Sequence, residues 1–441
     1  MSGVSGLLRG ARPRWLELLL LVFPVLLLAT GLTVTALAHG EAPGDLDRAM
    51  VAVLAASLFV VHIWLSLRHP RADQVLLPTA AMLAALSMVM VARLEPSLAT
   101  RQAIWVGLGT VALLVTLVGL PSIEWLRQYR YTWAALGLLL VLSTFVFGID
   151  PNGSGARLWL GAGGVYFQPS EILKVLLVVF FAAYLDDYRE LLTLSSVRVG
   201  PIALPPLPYL APLLVMLALA LGLVVLQRDL GAALLLFGLF LAMVFVATGR
   251  LTYVLGSLAF FVLGADLLYR LFSVVKIRVE TWLDPWATAS TTGYQLVQGL
   301  TALAAGGILG SGLGQGYPGY VPAVHTDFMI AAVGEELGLA GTLAVVGLYV
   351  VFAHRGLRVA MLAADPFASL LAAGLTSVVS IQALVILGGT LKLIPLTGVT
   401  LPLLSYGGSS VLANFVVLGL LLSVSAERQR SLAPAGGDRA A

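Results

Sequence analysis

Residues 207–247 read LPYLAPLLVMLALALGLVVL, then Gln227-Arg228-Asp229, then LGAALLLFGLFLAMVFVA. A helix of about 20 mostly apolar residues is long enough to cross the hydrocarbon core of a bilayer. The two apolar halves therefore predict two spanning helices. The three polar residues mark the turn that separates them.

The rest of the chain has the same character. Of its 441 residues, 59% are hydrophobic and 11% are charged, and the mean hydropathy is +0.99. Soluble proteins usually carry about 25% charged residues, so this chain lacks the polar residues that a water-soluble surface of its size needs. Its net charge of +3 is too small to indicate nucleic-acid binding. Its lack of cysteine excludes disulfides, thiol nucleophiles and zinc sites built on cysteine.

Apolar stretches of sufficient length number about twelve, which predicts an all-α, polytopic integral membrane protein. The segments are 16–38, 49–67, 75–92, 103–120, 131–148, 170–186, 207–226, 229–247, 251–269, 328–352, 367–390 and 401–425. Before the tenth segment lies a long connection, about 270–327. Its tryptophans, tyrosines and apolar run favour a position on or in the membrane interface.

The basic residues predict the orientation. Arginines precede the first segment, follow the last and occupy alternate short loops, and they make up more than half of the 25 basic residues. Since cytoplasmic loops carry the excess of Lys and Arg, both termini are expected in the cytoplasm. The outer side keeps other cations, which indicates an anionic partner there, with ordinary loop charge as the alternative. These cations are Lys174, Lys276, Lys392, Arg157, Arg228, Arg270 and Arg278.

The first polar cluster runs from Phe167 to Lys174 and reads FQPSEILK. Pro169 fits the first position of a helix. Glu171 and Lys174 are three residues apart, so they share a helix face and can form an ion pair. Ions in the first turns of a spanning helix are costly unless they are paired or face water. The cluster therefore predicts a polar wall of an outward-facing cavity, or else an ion pair at the level of the lipid headgroups.

Two further clusters place a carboxylate at the end of a span. In Gln227 to Gly231, Asp229 fits the N-cap of the following helix. In His325-Thr-Asp327-Phe, Asp327 stands where the long connection enters the membrane, and an N-cap is again the alternative. A carboxylate that is partly withdrawn from water at this boundary has a raised pKa, which suits a general base.

Glu335 and Glu336 lie deeper in the same predicted helix, within Gly334-Glu-Glu-Leu-Gly338. About 12 Å of helix separates them from Asp327, at ~1.5 Å per residue. Adjacent helical residues point in different directions, and carboxylates at this depth are too costly to face lipid. At least one of the two is expected to face a cavity or a partner.

The last cluster, residues 394–410, reads IPLTGVTLPLLSYGGSS. Its prolines and glycines interrupt an apolar stretch, which predicts non-helical backbone at the outer end of the last span. Such backbone is tolerated in a membrane only where protein or water satisfies its polar groups. A break here would leave backbone groups free to bind a polar ligand. Close packing of helices through small residues is the alternative.

Two other signals indicate no site. The glycines at 310, 312, 314 and 316 follow no strand, so they do not form a nucleotide-binding loop. The five histidines are scattered along the chain, so no metal ligand set can be identified from them.

In this order, the clusters resemble the motifs of the SEDS family, which includes RodA, FtsW and SpoVE, with RodA closest in character. The family strings are close to FQPSE-x-x-K, Q-P-D-L-G, G-Y-Q, H-T-D-F, G-E-E-L-G and P-x-T-G-x-x-L-P-x-x-S-Y-G-G-S. Here they read FQPSEILK, QRDLG, GYQLVQGL, HTDF, GEELG and PLTGVTLPLLSYGGSS, within roughly residues 77–427. This chain departs from the family at Arg228, which replaces a proline, and at Gln382, which stands near a frequent asparagine. It also lacks the acidic residue often found before His325.

The family core has about ten spans, so the resemblance implies three parts. Residues 1–74 are an N-terminal extension with two spanning helices, 75–427 the glycosyltransferase core, and 428–441 a disordered cytoplasmic tail. The implied activity is that of a peptidoglycan glycosyltransferase of the bacterial cytoplasmic membrane. It polymerises lipid II into β-1,4-linked strands at the outer face, in cell elongation or septal synthesis. The donor is a glycan on undecaprenyl diphosphate, and the partner is a class B penicillin-binding protein, the transpeptidase. A lipid II flippase and a non-catalytic scaffold are the alternatives.

The resemblance also implies roles for single residues. Asp327 is the expected general base for the acceptor hydroxyl. The expected substrate-binding residues are Arg157, Glu171, Lys174, Arg228, Lys276, Arg278, His325, Lys392, Ser405, Tyr406 and Ser409. The residues expected to shape the cavity are Pro169, Glu335, Glu336, Gly407 and Gly408. No cofactor is required by the sequence, and a divalent cation, Mg²⁺ or Mn²⁺, on the diphosphate stays an open alternative.

Overall fold

Long apolar helices make up most of the computed structural model, which describes residues 14–120, 122–151, 153, 155–163, 165–194, 197–199, 202–204 and 207–427. The first thirteen residues and the predicted tail 428–441 lie outside this part of the chain. The helices are α1 (Trp15–Ala38), α2 (Asp45–Arg68), α3 (Leu76–Leu94), α4 (Pro96–Gly119), α5 (Ile123–Gln128), α6 (Arg130–Phe147), α7 (Pro169–Leu194), α8 (Leu207–Leu226), α9 (Leu230–Thr248), α10 (Leu251–Leu271), α11 (Ser273–Leu283), α12 (Tyr294–Ala305), α13 (Met329–Met361), α14 (Pro366–Thr390) and α15 (Gly408–Glu427).

Among the described residues, eleven helices are long and apolar enough to cross a membrane. The predicted segment 170–186 lies in α7, which has 26 residues but carries charged residues in the two turns or so nearest each end. Its middle is buried among other helices, with Leu177 and Phe180 fully covered. Ionic groups at both ends of an apolar middle fit a span whose charges lie near the two membrane surfaces. The predicted all-α, polytopic membrane fold is confirmed, with eleven candidate spans where about twelve were predicted.

The polar motifs collect at one end of the bundle, which we call the motif face. Helices α7, α9, α13 and α15 begin there, and α1, α3 and α14 end there. The interior consists of α3, α7, α14 and α15, which are buried over most of their length. Small residues permit this close approach. A Cβ at Gly374 of α14, for example, would lie 2.7 Å from Val178 of α7 and 2.9 Å from Met243 of α9.

The two N-terminal helices pack on this interior through α1. A Cβ at Gly31 would lie 2.7 Å from Val89 Cγ2 of α3, so the two helices cross in close contact. At the other end of α1, the buried Arg14 side chain forms an ion pair with Glu17 and donates a hydrogen bond to Ala72 O at 2.7 Å. Helix α1 is therefore attached to the core near both of its ends.

The structure departs from the sequence-based expectation in two local features. The long segment 270–327 contains helices α11 and α12, and α12 packs on the start of α13, where Phe328 occupies the space beside Gly299. Two short antiparallel hairpins, one between α6 and α7 and one between α7 and α8, interrupt the helical pattern. Their strands are β1 (Leu160–Ala162) with β2 (Val165–Phe167) and β3 (Val197–Val199) with β4 (Ile202–Leu204).

Candidate active site

Residues 391–407, which we call the PLTG loop, connect α14 to α15 at the motif face. Their backbone is non-helical, as the prolines and glycines predict, so α15 begins at Gly408 rather than at 401. Side chains of α11, α13 and α14 satisfy its carbonyl groups, as buried backbone requires. Arg278 Nη1 donates to Thr397 O (3.0 Å), Trp282 Nε1 to Lys392 O (3.0 Å), Gln382 Nε2 to Thr400 O (2.7 Å) and Tyr349 Oη to Pro402 O.

The start of α7 lies directly beside this loop. Helix α7 begins at Pro169, and the preceding backbone N–H of Gln168 donates to Ser409 Oγ at 2.7 Å. Lys174 Nζ lies 2.8 Å from Glu171 Oε2 in a nearly buried ion pair, as their spacing predicts. Lys174 also donates to Gln382 Oε1 at 2.5 Å. The pair is thus tied to α14 and, through Gln382, to the PLTG loop.

The Gln227–Gly231 cluster reaches the same loop from the turn between α8 and α9. Asp229 is the N-cap of α9, accepting from Ala232 N at 3.0 Å, and it also accepts from Gln168 Nε2 at 3.1 Å. A Cβ at Gly231 would lie 2.7 Å from Thr397 O, so only glycine permits this close approach. Arg228 is exposed and has φ +64°. Proline, whose φ is held near −65°, could not adopt this backbone conformation.

The His325–Phe328 cluster is joined to the PLTG loop by backbone contacts. The Tyr406 N–H donates to His325 O at 2.8 Å, and Ser405 Oγ donates to Thr326 O. The His325 and Tyr406 rings meet edge to face, with centroids 6.0 Å apart. Burial lowers the pKa of His325, against the effect of Glu95, so its imidazole is neutral at pH 7.

Asp327 and Arg278 face each other across one glycine of the PLTG loop. A Cβ at Gly398 would lie 3.7 Å from Asp327 Oδ2 and 3.6 Å from Arg278 Nη2. Gly398 has φ +71°, a conformation that glycine adopts at little cost. Burial raises the pKa of Asp327 to about 6, against the opposite effects of a hydrogen bond from Thr326 and the charge of Arg278. Such a carboxylate is ionised at neutral pH and takes up a proton more readily than an ordinary aspartate.

Glu335 and Glu336 hold residues 306–317, which we call the Gly-rich loop. Glu335 Oε1 accepts from Tyr317 N at 2.6 Å, and Glu336 Oε2 accepts from Gly314 N at 3.0 Å. Arg93 Nε of α3 lies 3.2 Å from Glu336 Oε1. Both carboxylates therefore face another segment of the same chain, where a cavity or a partner was expected for at least one of them.

The Gly-rich loop also fills a break in α13. Gly338 has φ +69° and ψ −168°, so the helix is interrupted after its first turns. The loop takes up the backbone groups that the break leaves free. Ser311 N and Gly312 N donate to Glu335 O (2.9 Å) and Glu336 O (3.0 Å), and Leu339 N and Ala340 N donate to Gly307 O (2.9 Å) and Ile308 O (3.1 Å).

The remaining predicted residues lie in varied surroundings. Arg157 is exposed, as is Lys276, which lies 3.8 Å from Glu280 in an exposed ion pair. Lys392 contributes its carbonyl to Trp282 and has φ +60°. A Cβ at Gly408 would lie 2.0 Å from the Trp105 ring, whereas Gly407 has ordinary contacts only. The structure therefore groups Glu171, Lys174, Arg278, His325, Asp327, Ser405, Tyr406 and Ser409 around the PLTG loop, and leaves the side chains of Arg157, Arg228 and Lys276 exposed.

The sequence model of the FtsW, RodA and SpoVE family, described as "Cell cycle protein", matches residues 73–430. This chain belongs to that family. Peptidoglycan glycosyltransferase RodA of Mycobacterium tuberculosis is 41% identical over 430 residues, which cover 94% of this chain and 91% of that protein. The predicted SEDS-family peptidoglycan glycosyltransferase is confirmed, together with its similarity to RodA.

Two solved structures share the fold. One is a chain from work described as "Structural coordination of polymerization and crosslinking by a peptidoglycan synthase complex". It is 28% identical with a TM-score of 0.68, covering 81% of this chain and 98% of its own length. The other is Rod shape determining protein RodA of Thermus thermophilus, which is 28% identical with a TM-score of 0.59, covering 81% and 97%.

Several residues of this SEDS site were not assigned a role from the sequence. Gln168 and Gln382 bridge motifs, and Arg93 holds the Gly-rich loop. In the sequence, Arg93 is recognisable only as an arginine near the end of an apolar helix. Its partner, Glu336, lies 243 positions further along the chain. Two of the glycines that do not form a nucleotide-binding loop, Gly310 and Gly316, instead approach Glu335 and Glu336 too closely for a side chain, since a Cβ would lie 2.2 Å from Glu336 O and 2.9 Å from Glu336 Cγ, respectively.

The donor set of this site does not fit a metal held by protein. Within the described ranges, no three His, Asp or Glu side chains come together as ligands for one ion. Asp327 is the carboxylate that lies beside Gly398 of the PLTG loop. Asp229 accepts a hydrogen bond from Gln168, and Glu171 forms an ion pair with Lys174. The described residues therefore offer no ligand set for a protein-bound cation.

Proposed function

We propose that this chain polymerises lipid II into β-1,4-linked glycan strands at the outer face of the bacterial cytoplasmic membrane, with Asp327 as the general base. The position of Asp327 carries this proposal. Its partly buried carboxylate has a pKa raised to about 6 and shares the space beside Gly398 with the Arg278 guanidinium. The motif face would then be the outer side of the membrane, as the basic residues predict.

The reaction needs a base because the 4-hydroxyl of the acceptor sugar is a weak nucleophile. Asp327 takes the hydroxyl proton while the oxygen attacks C1 of the donor sugar. The bond from C1 to the diphosphate oxygen breaks, and its electron pair leaves on undecaprenyl diphosphate. Attack from the side opposite to this leaving group inverts the anomeric centre and forms the β-1,4 link.

Arg278 is the cation best placed to act near the reacting groups. Its Nη1 is held by Thr397 O, which leaves Nη2 on the open side of Gly398. A fixed positive charge of this kind stabilises negative charge that develops during transfer. Lys174, in contrast, already has acceptors in Glu171 and Gln382. We assign to Lys174 a structural role at the start of α7. The exposed cations Arg157, Arg228 and Lys276 are assigned the attraction of the approaching diphosphate.

The proposed partner is a class B penicillin-binding protein, and the proposed role is RodA-like synthesis during elongation. Similarity to a chain of a solved peptidoglycan synthase complex supports a partner that crosslinks the strands. The 41% identity to a RodA protein supports elongation over septal synthesis. The proposed substrate, lipid II, fits the glycosyl transfer described above, because its sugars are carried on a lipid diphosphate.

Purified Asp327→Asn protein incubated with labelled lipid II tests the proposal. The variant is expected to fold, because a pKa raised by burial means that the folded state favours the neutral form, and asparagine carries no charge to desolvate. We expect it to lose polymerisation, while Asp284→Asn, which changes an exposed aspartate of the same outer segment, keeps it. Undiminished polymerisation by Asp327→Asn would remove Asp327 from this role.

The same assay separates the alternatives. Movement of lipid II across vesicle membranes without any polymer would support the flippase. Polymer that forms only with the partner, and equally well with Asp327→Asn, would support the scaffold.

A further inference from the structure

The last turn of α1 lies against the Gly-rich loop. A Cβ at Gly314 would lie 2.9 Å from Ala38 Cβ and 3.7 Å from Thr35 Cα. Thr35 is only 8% exposed, and Gly314 has φ +82°. Helix α1 precedes residue 73, where the family match begins, so this contact joins a part of the chain outside the family core to the outer segment.

Arg93 holds the same part of the loop from the core side. Its Nη2 donates to Gly316 O at 3.0 Å and reaches Gly314 O at 3.4 Å, while its Nε pairs with Glu336. A Cβ at Gly314 would lie 3.8 Å from Arg93 Nε. Gly314 is therefore enclosed between α1 and Arg93. The close packing of Gly31 on Val89 keeps α1 and α3 together at this distance.

The Gly-rich loop leads directly to Asp327. At its end, the Tyr317 N–H is held by Glu335 Oε1. Further along the chain, the buried Phe328 ring lies in the space beside Gly299 of α12. The segment 318–327 is therefore fixed at both ends, and a displacement of the Gly-rich loop moves the end at Tyr317.

We propose that the last turn of α1 positions the segment that carries Asp327. Thr35 and Ala38 press the Gly-rich loop onto Arg93 and Glu336 and keep lipid and water away from this ion pair, whose attraction is stronger in a low dielectric. Both are positioning residues, and neither is assigned a contact with substrate. The expected effect on catalysis rests on the proposed role of Asp327 as the base. The contact between the last turn of α1 and the Gly-rich loop does not depend on that role.

The test uses full-length protein with a Thr35→Trp substitution and two controls on the same helix. Val34→Trp adds the same bulk at a neighbouring position that is 46% exposed, away from the loop. Thr35→Val keeps the shape of the side chain and removes a hydroxyl that donates only within α1, to Gly31 O and Leu32 O. Hydrogen exchange of residues 306–327, the rate of lipid II polymerisation and the pH midpoint of that rate are measured for each variant.

We expect Thr35→Trp to exchange faster in residues 306–317 and to polymerise roughly 10- to 100-fold more slowly, the cost of misplacing a reacting group by about 1 Å. Its pH midpoint is expected to fall, because a displaced Asp327 is better hydrated and has a lower pKa. A lower folded fraction would reduce the rate without moving this midpoint. Both controls are expected to match the unmodified protein.

Equal exchange in Thr35→Trp and the unmodified protein, or equal effects of Thr35→Trp and Val34→Trp, would overturn the proposal. Ala38→Leu adds less bulk at the second contact and must give the same pattern if Thr35→Trp does not fold; an unchanged loop in Ala38→Leu also overturns it. Faster exchange confined to residues 306–327, with slower polymerisation and an unmoved midpoint, would keep the positioning role and count against Asp327 as the titrating base, whereas a lower folded fraction would speed exchange throughout the chain. The two proposals can therefore fail separately.

Discussion

Lys174 and Gln382 are joined by a nearly buried hydrogen bond between α7 and α14, with 2.5 Å from Nζ to Oε1. The other end of the Gln382 amide donates to Thr400 O, and the Lys174 ammonium also lies 2.8 Å from Glu171 Oε2. One amide thus orients both a cation and the PLTG loop. This relationship gives Gln382 a defined structural role.

Gln382→Leu is expected to lower both the melting temperature and the polymerisation rate. The change leaves Thr400 O and one donor of Lys174 without partners, and a buried unsatisfied group costs about 1–3 kcal/mol. Ser380→Ala on the same helix is the control, since the Ser380 hydroxyl donates only to Thr376 O of α14. Thermal unfolding in detergent and the lipid II assay measure both effects. A melting temperature for Gln382→Leu equal to that of Ser380→Ala would contradict the bridging role.

The polymerisation rate is expected to fall as the pH drops through about 6, because Asp327 must be ionised to accept a proton. Arg278 lowers the pKa of Asp327, so Arg278→Gln is expected to raise it and to move the midpoint to higher pH. Arg270→Gln removes an equally charged but exposed side chain and is expected to leave the midpoint in place. Rates measured from pH 5 to 9 decide this, and a midpoint that moves downward in Arg278→Gln would refute the assignment.

Exchange of the two charges in Glu171→Lys with Lys174→Glu is expected to restore more folded protein than either single reversal, since the ion pair is re-formed. Its polymerisation is expected to recover only in part. Gln382 would have to turn its amide nitrogen toward the new carboxylate of α7, which places its oxygen against Thr400 O. Full recovery would show that the residues act solely as an ion pair, and equal loss in all three variants would indicate direct contact with the substrate.

Gly398→Ala is expected to reduce polymerisation more than it reduces stability. The new methyl group would stand between Asp327 Oδ2 and Arg278 Nη2, and the left-handed backbone would add strain of about 1–2 kcal/mol. Gly249→Ala is the matched control, because Gly249 has φ +66° at the C-cap of α9 and nothing within 4 Å of its missing Cβ. Comparable activity of the two variants, measured at equal folded fraction, would show that the space beside Gly398 is not used.

Features that depend on residues close together in the sequence could be predicted from it. The spans follow from apolar length, the Glu171–Lys174 pair from helical spacing, and the start of α7 from Pro169. The N-cap at Asp229 follows from residue type and position. The gathering of the motifs at one end of the bundle follows from the alternation of spans, which returns the chain to the same face at every second turn.

Features that depend on residues far apart in the sequence could not be predicted from it. Gly314 meets both Ala38 and Arg93, which precede it by more than 200 positions, and no local pattern encodes such a meeting. The break at Gly338 reads as part of a helix, because its neighbours are good helix formers and the compensating hydrogen bonds come from another segment. The exposure of Arg157 and Lys276 depends on packing that composition does not reveal.

The interrupted start of α13 restricts how this protein can vary in length. Ser311 and Gly312 donate to the carbonyls of Glu335 and Glu336 in consecutive order, while Gly307 and Ile308 accept from Leu339 and Ala340. One inserted or deleted residue between 308 and 311 would shift one set of hydrogen bonds by a residue relative to the other. Carbonyl groups of the broken helix would then lack a partner. We expect natural insertions and engineered tags to be accepted in residues 286–292, which are exposed or half-buried, and to be excluded from 307–312.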